Sequence, residues 1–162
     1  MILAIDPGNV QSAWVMFHEG EPKVFGITEN NALLYKLKYE ISAVPTAIEM
    51  IASYGMAVGQ TVFETVFWIG RFWEAREAHR SECTKIYRKD VKMHLCHSMR
   101  AKDANVRQAI IDRYPPTGGG KVPQVGTKSQ PGPLFGVSKD VWAALGVAIT
   151  FDYQQSLKGT TL

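Results

Sequence analysis

The opening segment of the chain constrains its fold more than any other. Residues 2–5 form a short, continuous apolar run, and Asp6-Pro7-Gly8 ends it. A run of this kind is typical of a central β-strand that is buried on both faces and followed by a turn. Strand-forming residues recur at 12–17 and 23–27, with a Gly- and Pro-containing connection between them. We therefore predict three antiparallel strands at the start, the first of them central in the sheet.

Helical and strand-like segments alternate along the rest of the chain. The spacing of apolar residues predicts helices over residues 30–42, 60–79, 104–114 and 139–155. Asp103 is expected to cap the third of these helices. A second continuous apolar run at 46–51 predicts another buried strand, and residues 83–95 predict one or two more. This order predicts an α/β fold with a mixed five-stranded sheet, an antiparallel three-strand meander plus parallel strands, flanked by helices.

Length and composition indicate one domain. A chain of 162 residues can bury a full core, and we expect a single domain over residues 1–162. Residues 115–136 are rich in Gly and Pro, and we predict a flexible loop there because too little chain follows to form a second core. The formal charge of +3 is too small to indicate a nucleic-acid partner by itself. Because no signal peptide or apolar membrane span is apparent, we expect a cytoplasmic protein.

Three acidic residues interrupt segments that are otherwise apolar. Asp6 ends the first strand, Glu49 lies within the second buried strand, and Asp140 is predicted in the first turn of the last helix. Burying a carboxylate is costly unless a partner compensates for its lost hydration. Convergence on divalent cations would compensate all three, and oxygen ligands suit Mg²⁺ or Mn²⁺. Two such ions about 3.5–4 Å apart can activate water and stabilise the leaving oxygen of a phosphodiester.

Each of these acids also has an ordinary structural explanation. Asp6 could be a turn residue before Pro-Gly, and Glu49 could pair with a neighbouring Lys or Arg. Asp140 is favoured near a helix N-terminus by the helix dipole. Their conjunction in one chain is what favours a shared metal site, and we predict all three as metal ligands.

Four segments resemble the RuvC-type Holliday junction resolvases of the RNase H-like superfamily, and especially their phage-encoded relatives. The family strand whose aspartate binds metal has its counterpart in ILAIDPGN, and the strand with the catalytic glutamate in TAIEMI. Two family helices have their counterparts in KDANVRQAIIDRY and SKDVWAALGVAI. The resemblance spans nearly the whole chain, and the first and last segments are its more specific parts.

The resemblance implies a structure-selective DNA endonuclease that resolves Holliday junctions and related branched DNA, leaving 5′-phosphate ends. It implies Mg²⁺, with Mn²⁺ as a substitute and two ions per site. Asp6 and Asp140 would ligate the ions, and Glu49 would bridge or hold one of them and orient the attacking water. The second acid of the family's last helix is replaced by Ala143. Asp103 is therefore the candidate for a fourth catalytic acid, with helix capping as its alternative role. A phage-encoded protein would act in the host cytoplasm.

Positive charge concentrates beside the expected site. The residues expected to contact DNA are Arg76, Arg80, Lys85, Arg88, Lys89, Lys102, Lys121, Lys128 and Lys139. An ordinary solvated face is the alternative for this charge. The helix at 60–79 carries aromatic residues on more than one face, which predicts a homodimer interface, since resolving a four-way junction takes two symmetric cuts. Phe67 and Trp68 on that helix are alternatively expected to contact unstacked bases.

Two other functions remain open from the sequence. An RNA-processing nuclease of the YqgF type would share the metal chemistry, and only its substrate would differ. A catalytically weak module that binds branched DNA is the second alternative, because the acid at position 143 is missing.

Overall fold

A five-stranded sheet forms the middle of the structure, a computed structural model that describes residues 1–55 and 57–159. Its strands are β1 (Ile2–Asp6), β2 (Gln11–His18), β3 (Glu21–Glu29), β4 (Thr46–Met50) and β5 (Cys83–Tyr87). They lie in the order β3-β2-β1-β4-β5, so that β1 is central. β1 pairs antiparallel with β2 and parallel with β4, while β2–β3 is antiparallel and β4–β5 parallel. The predicted mixed sheet is confirmed.

Helices cover both faces of this sheet. In the described part of the chain they are α1 (Asn30–Tyr39), α2 (Gln60–Glu77), α3 (Arg88–Cys96), α4 (Asp103–Ile111) and α5 (Val141–Gly159). Side chains of α1 and α2 join the core on one face, and those of α3, α4 and α5 join the core on the other. The result is a three-layer α/β/α arrangement, and none of the described helices is long and apolar enough to cross a membrane.

The alternation of side chains along β1 sets the direction of the residue that ends it. Leu3 and Ile5 belong to the core under α1 and α2, whereas Ile2 and Ala4 belong to the core under α5. Successive residues of a strand point to opposite faces. Asp6 therefore comes on the α5 face of the sheet, where β1 ends.

The segment after β5 is a helix and not a second strand. β5 ends at Tyr87 and α3 begins at the next residue, Arg88. Val91 and Leu95, four positions apart, are buried, while the Asp90 carboxylate accepts a hydrogen bond from the Tyr87 N–H at 3.2 Å. Helical spacing and this capping contact outweigh the alternation of basic and apolar residues that favoured a strand.

Two predicted helix starts are displaced, and both involve candidate acids. α5 begins at Val141, and the Asp140 carbonyl accepts from the Ala144 N–H at 3.1 Å, so Asp140 stands at the N-cap position. Asp103 is the first residue of α4, after the N-cap Lys102. The capping role predicted for Asp103 is therefore wrong, and its carboxylate is available for other contacts.

The Gly- and Pro-rich segment at 115–136 has its own hydrogen-bond scaffold. The Gly118 N–H donates to the Pro123 carbonyl at 2.9 Å, and Gly126 forms an isolated antiparallel bridge with Pro131. Gly126 has φ +78°, and a Cβ there would lie 2.2 Å from the Gly132 nitrogen, so only glycine fits. The flexibility of this loop stays a prediction.

Candidate active site

Asp6 and Glu49 lie side by side at one end of the sheet. β1 and β4 run parallel with Ile5 opposite Ile48, so the next residue of each strand is a carboxylate. Neighbouring strands are about 4.8 Å apart. Ala47 points into the core under α5, and Glu49, two residues on, points to the same face as Asp6. The backbone thus brings together two acids that the sequence separates by more than forty positions.

A buried polar network fixes the turn that follows Asp6. The Gly8 N–H donates to Ser12 Oγ at 3.2 Å, and this hydroxyl donates to Asn30 Oδ1 at 2.6 Å. The Asn30 amide donates back to the Gly8 carbonyl at 2.9 Å. A Cβ on Gly8 would lie 2.3 Å from the Gln11 carbonyl oxygen. The network therefore requires glycine at position 8 and holds the backbone just beyond Asp6 in one conformation.

The two remaining candidate acids lie beside this pair. Asp6 and Glu49 line a cleft of about 230 Å³ together with Arg88. Asp103 and Asp140 line a second cleft of about 100 Å³, which Arg88 also lines. Arg88 Nη2 donates to Asp103 Oδ1 at 2.5 Å. All four predicted acids thus gather around one arginine.

The electrostatics of the site show an excess of negative charge. Burial is the largest cause, and together with the charges of Glu49 and Asp140 it raises the pKa of Asp6 to about 8. Burial also raises the pKa of Glu49. By contrast, the hydrogen bond from Arg88 lowers the pKa of Asp103. Crowded, buried carboxylates resist ionisation unless a cation neutralises them.

The donor set fits a divalent cation. Glu49 Oε2 is buried and has no hydrogen-bond partner among the residues that the structure describes, which is rare for a carboxylate oxygen. Asp6, Glu49 and Asp140 offer hard oxygen ligands of the kind that Mg²⁺ and Mn²⁺ take. Within residues 1–55 and 57–159, no three His, Cys, Asp or Glu side chains already stand close enough to hold a metal ion. Binding one ion by all three acids therefore requires side-chain movement.

The structure corrects the prediction that Arg76 contacts DNA. Its side chain is fully buried, and its guanidinium donates to the carbonyls of Leu37, Ile41 and Ser42 at 2.7–3.1 Å. It also donates to the Thr46 hydroxyl at 3.2 Å. Arg76 holds the end of α1 to the start of β4, and in this fold it presents no donor to a phosphate.

The other predicted basic residues lie at different places. Lys139 is exposed and lines the cleft with Asp140. Lys89 and Lys102 are also exposed, directly after Arg88 and directly before Asp103 in the chain. Lys85 points to the α2 face, where its ammonium lies 5.3 Å from the ring of Trp73.

Arg80 precedes β5 at the opposite end of the strands, roughly 15 Å from the acids for a five-residue strand. Lys121 and Lys128 are exposed on the loop at 115–136.

Sequence reasoning missed the position of Arg88 and the presence of Tyr54. Arg88 was expected only as one of many phosphate contacts, yet it directly follows a parallel strand, where the sites of α/β sheets form. Tyr54 lines the Asp6 cleft and is 68% exposed. No sequence signal marks it.

The outer face of α2 is apolar and aromatic, as predicted. Ile69 and Phe72 are buried against the sheet, whereas Phe63 and Phe67 are more than 60% exposed. Trp68 is partly buried, and the Arg71 guanidinium lies 4.5 Å from its ring centroid. Aromatic residues therefore occupy two faces of this helix, of which the molecule covers one.

Comparison with solved structures bears on the fold. A Thermus thermophilus RuvC structure superposes with a TM-score of 0.63 at 13% identity, over 97% of this chain and 96% of that chain. A T. thermophilus RuvC in complex with Holliday junction substrate superposes with a TM-score of 0.66 at 13% identity, over 97% and 95%. No protein-family model matches the chain, and no curated protein matches it.

The similarity extends over nearly the full length of both chains. It lends no support to the expectation of phage-encoded nearest relatives, because both structures are of the Thermus protein. At this identity the likeness defines the architecture, including the mixed sheet with its central β1. The chain has the RuvC fold, an RNase H-like α/β domain.

Proposed function

We propose that the chain is a Holliday junction resolvase, a structure-selective endonuclease that cuts branched DNA in the presence of Mg²⁺ or Mn²⁺. The observation that carries this proposal is the meeting of Asp6, Glu49 and Asp140 at one end of the sheet, on a RuvC fold. A RuvC of this fold is known in complex with a Holliday junction substrate, which supports a branched substrate here.

The arrangement suits phosphodiester hydrolysis. A bound divalent cation would polarise the phosphate and lower the pKa of the attacking water. Asp6, Glu49 and Asp140 would hold the cation, and Glu49 would also orient the attacking water. The water oxygen bonds to phosphorus while the bond from phosphorus to the 3′ oxygen breaks. That oxygen takes up a proton, so the products are a 5′-phosphate and a 3′-hydroxyl.

Exposed basic residues around the acids would hold the DNA backbone. Lys139 lines the cleft of Asp140, and Lys89 and Lys102 are exposed next to Arg88 and Asp103 in the chain. Lys121 and Lys128 lie on the loop. Each phosphate contact releases counterions, so binding is expected to weaken steeply with salt. Phosphate contacts carry no sequence information by themselves, so such contacts suit recognition of shape more than of sequence.

A second copy of the chain is the proposed partner on the outer face of α2. Phe63, Val66 and Phe67 form an exposed apolar stripe there, continuous with a groove of about 260 Å³ lined by Gly70 and Trp73. A two-fold axis at this stripe would place two active sites on one junction, which paired cuts require.

Cleavage of a labelled synthetic four-way junction in Mg²⁺ or Mn²⁺ tests the function, with a matched linear duplex and Asp6→Asn as controls. Paired symmetric nicks in the junction, absent from both controls, are expected. Tight junction binding by the wild type without nicks would support the weak binding module that Ala143 suggests. Cleavage of structured RNA in place of DNA would indicate an RNA-processing nuclease.

A further inference from the structure

Arg88 places a guanidinium between two pairs of carboxylates. As the first residue of α3 it directly follows β5, at the carboxyl ends of the parallel strands. It lines the cleft of Asp6 and Glu49 and also the cleft of Asp103 and Asp140. Among the described residues, no other Lys or Arg lines both clefts. This side chain is the cation shared by all four acids.

Within residues 1–55 and 57–159, only one end of this guanidinium has a hydrogen-bond partner. Nη2 of Arg88 donates to Asp103, but Nη1 is buried and finds no partner among these residues. Glu49 Oε2, in the same site, is also buried and has no partner in this part of the chain. Buried donors and acceptors are nearly always satisfied. The two atoms therefore indicate two ligands of opposite charge, an anionic oxygen for Arg88 and a cation for Glu49.

The half of the site around Asp140 is short of metal ligands. Ala143 lines this cleft with a methyl group. Asp103, the other acid there, is already engaged by Arg88. A metal ion in this half would meet one free carboxylate and the positively charged guanidinium of Arg88. Repulsion between the two positive charges opposes binding of the ion.

Charge balance is consistent with one cation. The charges of Arg88 and Lys92 both lower the pKa of Glu49 and of Asp103. Together with one divalent cation, these two residues offset the four carboxylates. Arg88 also keeps its charge: burial disfavours the charged form, but the hydrogen bond to Asp103 and the charge of Glu49 outweigh it and raise the pKa of Arg88.

We propose that Arg88 takes the place of a second metal ion, so that the site works with one divalent cation and one guanidinium. The inference rests on the proposed nuclease function and revises the expectation of two ions. Asp6, Glu49 and Asp140 hold the cation, and Arg88 Nη1 binds a non-bridging oxygen of the scissile phosphate. Arg88 is thus a catalytic residue, and Asp103 positions it.

The guanidinium acts on the step already described. As the water oxygen bonds to phosphorus and the bond to the 3′ oxygen breaks, negative charge shifts among the phosphate oxygens. A planar guanidinium can donate to such oxygens with fixed geometry, which an ammonium cannot reproduce. Arg88→Lys should therefore retain only part of the activity.

Counting bound Mn²⁺ in the DNA-free protein tests the proposal directly. Isothermal titration and electron paramagnetic resonance are expected to show one ion per wild-type chain. Two ions would overturn the proposal. The double variant Arg88→Gln/Ala143→Asp removes the guanidinium and supplies the missing acid, and it is expected to bind two ions. A double variant that still binds one would contradict the role given to these two positions.

Arg88→Gln separates this role from structural support. Junction nicking should fall about 10²–10³-fold, while Mn²⁺ affinity should stay unchanged or rise roughly tenfold because a like charge is removed. Arg113→Gln, an exposed arginine after α4, is the matched control and should change neither. A parallel loss of Mn²⁺ affinity and rate would show that Arg88 merely supports the carboxylates, and would overturn the proposal.

Thermal unfolding of each variant shows whether it folds. If Arg88→Gln does not fold, Arg88→Lys is used for the test in its place. Failure of the proposed function has a separate signature. A wild-type chain that binds one Mn²⁺ but nicks no branched DNA would refute the nuclease function and the catalytic role together. A chain that nicks junctions and binds two ions would refute the role of Arg88 alone.

Discussion

Replacing Asp6 by Asn should stabilise the metal-free protein at neutral pH. Asn has the shape of the protonated carboxyl but no charge to bury. Burial and the charges of Glu49 and Asp140 raise the pKa of Asp6 from 3.8 to about 8 in the folded protein. Between these values the unfolded chain has lost a proton that the folded chain retains. The free energy of unfolding of the wild type therefore falls as the pH rises from about 4 to about 8.

The size of the effect follows from the shift. Each pH unit in this window lowers the free energy of unfolding of the wild type by at most about 1.4 kcal/mol. At pH 7, about three units above the unfolded pKa, the upper bound is roughly 4 kcal/mol. Water penetration and side-chain relaxation reduce such penalties, so a gain of about 1–3 kcal/mol is expected for Asp6→Asn. The gain should vanish near pH 4 and level off above pH 8.

Urea unfolding in EDTA, at intervals from pH 4.5 to pH 8.5, measures this difference. Asp152→Asn, an exposed carboxylate on α5 outside the site, is the control and should show no such rise. Adding Mg²⁺ should stabilise the wild type, by about 2.7 kcal/mol at a hundredfold excess over Kd, and the variant less. An Asp6→Asn protein that is less stable than wild type at pH 7, or whose gain is independent of pH, would refute the reasoning.

Three further predictions concern other parts of the fold. Arg76→Ala should lower the free energy of unfolding by about 3 kcal/mol or more, because it leaves three buried carbonyls without a hydrogen-bond donor. Arg80→Ala should change the free energy of unfolding little. Urea unfolding measures both variants, and equal stability would refute the structural role assigned to Arg76. Phe67→Glu should be a monomer by light scattering and should no longer make paired nicks in a junction. An unchanged dimer would rule out the α2 interface. Gly8→Ala should slow nicking at least tenfold, since its Cβ meets the Gln11 carbonyl at 2.3 Å and the turn beside Asp6 must shift; an unchanged rate would mean that this turn does not position Asp6.

The linear sequence determined the strands and the central acids. Continuous apolar runs mark strands buried on both faces, so β1 and β4 could be predicted from the order of residues alone. A charge within such a run is conspicuous because its burial needs a partner, and this is why Asp6 and Glu49 were identified. Asp140 was predicted from its place at the start of the apolar last helix, but it is exposed in the structure, so the argument from burial does not hold for it. These features are local, and local patterns survive in any tertiary context.

Only the tertiary structure decided which charged residues face the site. Arg76 and Arg88 look alike in sequence, yet the carbonyls at the end of α1 enclose the first and four carboxylates surround the second. Lys85 covers Trp73 on the far face of the sheet. The partners of a long charged side chain come from segments distant in sequence. Its energy depends on their placement in three dimensions, and no periodicity along the chain encodes that placement.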